Sequence, residues 1–123
     1  MTVVGLHHAG VYVASLARSI AFYRELFGLE VAEQLSFGGE QIAFLRIGAG
    51  RLELIEGGHA RGGAGVVDHI ALEVTDMDAL IDRLRANGVT LLDEAPVRVP
   101  GLGARILFCQ GPDGERIELL EYD

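Results

Sequence analysis

The sequence has one cysteine, Cys109, so no internal disulfide can form and a reducing compartment is expected. It has no lysine. All ten basic residues are arginines, scattered against eighteen acidic ones, and the net charge is −8. That balance argues against a partner presenting a phosphate backbone, so no nucleic acid is expected. It leaves room for a small anion, because a local arginine can outweigh the net charge. Half the residues are hydrophobic, yet no run approaches the ~18 consecutive apolar residues of a membrane span. No membrane partner is expected. The opening residues, Met-Thr-Val-Val-Gly-Leu-His-His, lack the basic and apolar regions of a secretory signal, and the expected location is cytoplasmic. At 123 residues the chain is long enough for a real core and falls in the single-domain range.

What the chain does have is an internal repeat. Residues 6–13 (Leu-His-His-Ala-Gly-Val-Tyr-Val) and 67–74 (Val-Asp-His-Ile-Ala-Leu-Glu-Val) are alternating apolar runs with a histidine near the start. Residues 51–56 (Arg-Leu-Glu-Leu-Ile-Glu) and 116–121 (Arg-Ile-Glu-Leu-Leu-Glu) nearly repeat each other. His8 precedes Glu53 by 45 residues, and His69 precedes Glu118 by 49. Two imidazoles and two carboxylates, one of each per half, suit one divalent metal ion.

The order of elements repeats with them. Alternation predicts a strand over 3–13. Ser15 is a plausible N-cap for a helix over 16–26, with Leu16, Ile20, Tyr23 and Phe27 inward and Gly28 as its left-handed stop. Strands over 29–35, 41–47 and 51–56 follow, separated by glycine pairs. The second half predicts a strand over 67–74 and Thr75 or Asp76 as N-cap. A helix over 77–86 places Met77, Leu80, Ile81 and Leu84 inward, and Gly88 closes it. Strands near 89–94, 104–110 and 115–121 complete the set, with Gly111-Pro112-Asp113-Gly114 as the last turn. The fold class is therefore α+β: two pseudo-symmetric βαβββ modules, 1–56 and 66–123, in one domain spanning 1–123. They are predicted to form a curved mixed sheet around a metal-binding cavity. Residues 57–65, rich in glycine and without apolar period, read as a linker.

Side chains alternate faces along a strand. Val11 and Val13 belong under the first helix, which turns His8, Gly10 and Tyr12 to the opposite face. Ile70, Leu72 and Val74 belong under the second, which leaves His69, Ala71 and Glu73 on the open side. Leu52 and Leu54 go under and Glu53 goes out; Ile117 and Leu119 go under and Glu118 goes out. A carboxylate on an apolar strand is costly unless paired or metal-bound. His8, Glu53, His69 and Glu118 are thus the candidate metal ligands, and Glu118 and Glu53 the candidate catalytic carboxylates. Phe44 and Phe108 fall on the same face as pocket walls. Glu73 lies beside His69 as a second possible acid or base. Arg98 and Arg105 flank Val99-Pro100-Gly101-Leu102-Gly103, a candidate lid whose arginines could hold a substrate anion. Cys109 alternates as a helix-facing core residue. His7 alternates to the wrong face and His59 lies in the linker, so both read as bystanders. Imidazole–carboxylate ligation suits Ni, Zn, Co, Mn or Fe(II) without choosing among them.

These residues resemble the vicinal oxygen chelate superfamily, which includes glyoxalase I, methylmalonyl-CoA epimerase, extradiol dioxygenases, and fosfomycin and bleomycin resistance proteins. The resemblance rests on the paired modules and on four stretches: His-Ala-Gly-Val-Tyr-Val at 8–13, Ser-Ile-Ala-Phe-Tyr-Arg-Glu-Leu-Phe-Gly-Leu-Glu-Val at 19–31, Asp-His-Ile-Ala-Leu at 68–72 and Gly-Pro-Asp-Gly-Glu-Arg-Ile-Glu-Leu at 111–119. It implies that His8, Glu53, His69 and Glu118 face a divalent metal. A glutamate at the fourth ligand place resembles bacterial glyoxalase I, and methylmalonyl-CoA epimerases look similar and often carry glutamine there. The chain departs from bacterial glyoxalase I at Tyr12 and Gly57, where that enzyme has an arginine for the glutathione carboxylate and an asparagine. Tyr12 thereby joins the substrate-pocket candidates.

The resemblance and the ligand set together predict a metal-dependent lyase or isomerase of glyoxalase I type. It would act through a metal-stabilised enediolate or enolate on a small carbonyl or thioester substrate. The alternatives are a ring-cleaving or other Fe(II)-dependent dioxygenase, and a non-catalytic small-molecule-binding or resistance protein. A homodimer is expected because open sheet edges favour pairing. The four ligands could then come from one chain or from two.

Overall fold

The computed structural model describes residues 6–57, 67 and 69–123. The chain divides into two compact units, Met1–Arg61 and Gly62–Asp123. Among the described residues each contains one four-stranded mixed sheet and one α-helix.

In the first unit, β1 (His8–Val13) leads to α1 (Leu16–Phe27), then β2 (Glu30–Phe37), β3 (Glu40–Ile47) and β4 (Gly50–Glu56). The helix starts where Ser15, in extended conformation, turns its hydroxyl to accept from the Arg18 N–H at 3.2 Å. It stops at Gly28, whose φ of 71° opens the left-handed region. There the Gly28 N–H donates to the Arg24 carbonyl and the Leu29 N–H to that of Tyr23. Between these signals Leu16, Ile20, Tyr23 and Leu26 form a buried stripe joined by Ser19. Phe27 is only half-buried and instead joins Phe22 and Tyr23 in a ring cluster. The sheet order is β1-β4-β3-β2, with β1 parallel to β4 and the other pairs antiparallel. Val13, Ala43, Leu45, Leu52 and Leu54 are buried on one face, and α1 packs on β3 and β4. Burying a leucine of this kind stabilises by about 1.5–3 kcal/mol.

The second unit repeats the plan with β5 (Ile70–Glu73), α2 (Met77–Ala86), β6 (Val97–Val99), β7 (Ala104–Gln110) and β8 (Arg116–Tyr122). Its sheet order is β5-β8-β7-β6, again with one parallel pair, β5 and β8. Met77, Leu80, Ile81 and Leu84 are the buried stripe of α2, as their spacing predicts. Leu72, Leu107, Cys109, Ile117 and Leu119 are buried on the corresponding sheet face.

Three expectations are corrected. The ladders form two separate four-stranded sheets rather than one continuous sheet. The strand predicted near 89–94 is not a regular strand. There Leu91 bridges Cys109, the Gln110 N–H reaches the Thr90 carbonyl and the Leu92 N–H reaches that of Phe108. The next place in the ladder is taken by a side chain: the Phe108 N–H donates to Asp93 Oδ2 at 2.8 Å. A carboxylate in place of a carbonyl interrupts the backbone pattern, and regular pairing resumes only at β6. Finally, Asp76 takes the N-cap position of α2 as expected, but its side chain makes no capping hydrogen bond. It stands at φ 52°, a left-handed conformation that costs a non-glycine residue about 1–2 kcal/mol. The segment read as a linker, apart from Gly57, lies outside the described residues, as does His59.

Candidate metal and catalytic site

Strand pairing brings each histidine to its glutamate. In the first unit β1 lies parallel to β4 with Gly10 opposite Glu53. The His8 imidazole Nε2 then stands 3.4 Å from Glu53 Oε1. In the second, Ala71 is opposite Glu118, and His69 Nε2 stands 3.3 Å from Glu118 Oε1. Both carboxylates are largely enclosed, with 15 % and 14 % of the side chain exposed, while the imidazoles keep 38 % and 34 %. The donors thus sit in a wall and look outward.

These separations suit a shared ion. Two donors about 2.1 Å from one metal lie roughly 3.0 Å apart at a right angle and roughly 3.4 Å apart at a tetrahedral angle. A spacing of 3.3–3.4 Å is also the outer edge of hydrogen-bonding range, so neither pair is drawn into a tight contact of its own. Among the described residues no three His, Cys, Asp or Glu side chains gather into a group that could hold a metal ion. The donors come in twos.

Around each pair the surroundings repeat. Phe44 is the cross-strand partner of Glu53, and its ring meets the His8 ring edge-on at 5.3 Å. Phe108 is the partner of Glu118 and meets His69 at 5.1 Å. Both phenylalanines lie where alternation predicts. The Arg116 guanidinium sits over the Phe108 ring, 5.0 Å from its centroid, in a cation–π contact. Gly10 allows the Glu53 carboxylate to approach β1: a methyl there would lie 3.0 Å from Oε1. Tyr12, 42 % exposed, and Glu73, also exposed, occupy matching places farther along their strands on the same faces.

The arginines of the predicted lid stand elsewhere. Arg98 pairs with Arg105 across β6 and β7, and Arg105 with Glu121 across β7 and β8, so both lie on the sheet side opposite Phe108 and Glu118. Each is already held by carboxylates. Arg98 binds both oxygens of Asp123, which raises its pKa and lowers that of Asp123. Arg105 bridges Asp78 at 3.2 Å and Glu121 at 2.8 Å, and its pKa is raised, chiefly by the bond to Asp78. The segment between them closes as a short 3-10 turn, Pro100–Leu102. Cys109 is fully buried, and burial pushes its thiol up to about 12, which leaves it inert.

Two sets of residues escaped the reading of the sequence. The last glutamate of each repeated run caps a helix: the Leu16 N–H donates to Glu56 Oε1 at 2.6 Å and the Met77 N–H to Glu121 Oε2 at 3.0 Å. A carboxylate at a helix N-terminus satisfies an orphan N–H and meets the positive end of the dipole. The signal was present, because both glutamates of the run recur in both halves. The Met77 N–H first, and Arg105 second, hold Glu121 below the usual carboxylate range. The other is His7, whose Nδ1 lies 2.9 Å from His8 Nδ1. Strand parity hid it, because the contact is made by neighbours at the strand's start.

Known proteins agree with this architecture. The chain is 33 % identical to the lactoylglutathione lyase of Salmonella typhimurium (strain LT2), over 94 % of this chain and 91 % of that one. It is 32 % identical to the Bacillus subtilis (strain 168) protein YwbC, over 94 % and 96 %. The structure of the trypanothione-dependent glyoxalase I of Leishmania major superposes with a TM-score of 0.77 at 29 % identity, covering 95 % of this chain and 86 % of that one. Residues 5–119 match the model of the Glyoxalase/Bleomycin resistance protein/Dioxygenase superfamily, and the chain belongs to that superfamily.

Proposed function

We propose that the protein is a metal-dependent lyase or isomerase of glyoxalase I type, acting on a small carbonyl or thioester substrate. The observation that carries this reading is the doubled His–Glu pair, at 3.4 Å and 3.3 Å, built at matching places of two repeated units. The 33 % identity to a lactoylglutathione lyase over nearly both whole chains supports the same class. In this reading His8, Glu53, His69 and Glu118 hold one divalent ion, Ni, Zn, Co, Mn or Fe(II). When bound, that ion supplies Lewis acidity to the oxygen that turns negative as a C–H beside a carbonyl is lost.

The remaining work belongs to the chain. Glu118 takes the proton from the carbon beside the carbonyl and returns it to a neighbouring one, as general base and then general acid. Glu53 is its pseudo-symmetric counterpart and stays a ligand. Phe44 and Phe108 exclude water from the carboxylates they adjoin. Tyr12 and Glu73 contact the substrate beyond the reacting carbons. A homodimer belongs to this reading, since each unit supplies two donors and a second copy supplies two more pairs.

The test is metal content and isomerase rate of the wild type, Glu53→Gln and Glu118→Gln. The hemithioacetal of methylglyoxal with glutathione, and methylmalonyl-CoA, serve as substrates, each with the five ions in turn. Glu118→Gln is expected to lose roughly 10²–10⁴-fold in rate. Undiminished rates in both variants overturn the assignment of the carboxylates. Absence of bound metal from any of the five overturns the enzymatic reading and leaves a small-molecule-binding protein. Oxygen consumption with a catechol, dependent on Fe(II), moves it to the dioxygenases.

A further inference from the structure

We infer that His7 is a positioning residue for the metal site: it accepts a hydrogen bond from the Nδ1–H of His8 and so leaves His8 Nε2 as a bare lone pair facing the ion. The inference rests on the proposed metal site, and it concerns a residue outside the four ligands.

The geometry is specific. The two Nδ1 atoms are 2.9 Å apart. Two ring nitrogens approach that closely only when one carries hydrogen and the other a lone pair. The other nitrogen of His8, Nε2, faces Glu53 Oε1 at 3.4 Å. A ligand nitrogen must be unprotonated, so the proton of a neutral, ligating His8 resides on Nδ1, and His7 Nδ1 is then the acceptor. The rings of His7, His8 and Phe44 form a cluster, with His7 edge-on to His8 at 5.1 Å and to Phe44 at 6.3 Å. Together they fix a χ2 torsion that is otherwise broad for histidine. A metal-bound imidazole generally donates its second N–H to an acceptor that sets its tautomer and raises its basicity. In the repeat the residue that precedes His69 in the sequence is Asp68.

The substitutions His7→Leu and His7→Asp separate an acceptor from a packing group, because aspartate restores the acceptor without the ring. Zn2+ is the probe, since such sites bind it at least as tightly as Mn2+ or Fe2+. Calorimetry should show Zn2+ binding weakened roughly 10–100-fold in His7→Leu and restored to within a few-fold in His7→Asp. The unfolding midpoints of all three proteins should agree. In the Zn2+-loaded protein, nitrogen-15 NMR of the imidazoles should find the proton of His8 on Nδ1, with the shift of a hydrogen-bonded N–H in the wild type and His7→Asp and without that shift in His7→Leu. Unchanged Zn2+ affinity in His7→Leu, or a loaded wild type with no proton on His8 Nδ1, overturns this inference and leaves the metal site standing. A wild type that binds no Zn2+ overturns both.

Discussion

The first unit sets Glu53 across from a glycine, and the second sets Glu118 across from an alanine. The first begins its helix on a serine cap, and the second on an aspartate in left-handed conformation whose side chain caps nothing. The first has an eight-residue edge strand whose register shifts once, between Val31 and Glu33, whereas the second splits that edge around the Asp93 carboxylate. Yet the His–Glu separations differ by only 0.1 Å. Local capping and edge pairing have diverged, while the parallel strand pair and the glutamate-capped helix have not. What both units retain is the frame that presents one imidazole and one carboxylate.

The comparison can be broken hardest in the core. Leu54 and Leu119 are matching residues of the two runs, both fully buried. Each changed to alanine should lose about 2–5 kcal/mol in urea unfolding. Equal losses in one shared transition would show that the units unfold together; separate transitions would show two independent cores.

A smaller effect is expected at the glutamate caps. Glu56→Gln and Glu121→Gln keep the shape and remove the charge at each helix start. Glu121→Gln should be the costlier, because it also strips Arg105 of a partner. The pH dependence has a defined sign. Glu121 has a lowered pKa in the fold, so the unfolded chain binds its proton more readily. Its contribution is fully present above the ordinary glutamate pKa of about 4.3 and fades as acid carries the pH down through the lowered folded value. Thermal melts from pH 7 to pH 3 should therefore lose this acid-sensitive component in Glu121→Gln. A melting profile identical to the wild type's would refute the role.

The smallest perturbation tests the glycine–alanine difference itself. Gly10→Ala should leave global stability within about 1 kcal/mol, since the added methyl meets only side-chain ends that can move, Glu53 Oε1 at 3.0 Å and Ile55 Cδ1 at 3.4 Å. Zn2+ affinity should fall severalfold as that carboxylate is displaced. Ala71→Gly should leave Zn2+ affinity unchanged, and a loss there as large as in Gly10→Ala would show that the two pairs are not distinguished by this contact.

Much of this was legible in the chain because strands alternate and helices repeat. The parity of Leu52, Glu53 and Leu54 was enough to separate core from open face. Ser15 and Gly28 mark α1 because capping is local chemistry. What stayed hidden was chemistry between distant residues. Glu56 reaches a backbone N–H 40 residues earlier and Glu121 one 44 residues earlier, so no local window contains both partners. Asp93 reads as a surface acid until Phe108 lies beside it. Arg98 and Arg105 were assigned to an anion because their own carboxylates, Asp123, Asp78 and Glu121, come together only through strand register.

The parallel pairing of β1 with β4 has a kinetic corollary. The hairpins β2–β3 and β3–β4 close over a few residues, but Gly10 meets Glu53 only after the intervening helix and two strands have been gathered. Closing a loop of that length carries an entropic cost that the short hairpins avoid. The same holds for Ala71 and Glu118 in the second unit. During refolding, sheet signal should therefore rise before the chain can capture Zn2+, and metal capture would time the arrival of the final strand.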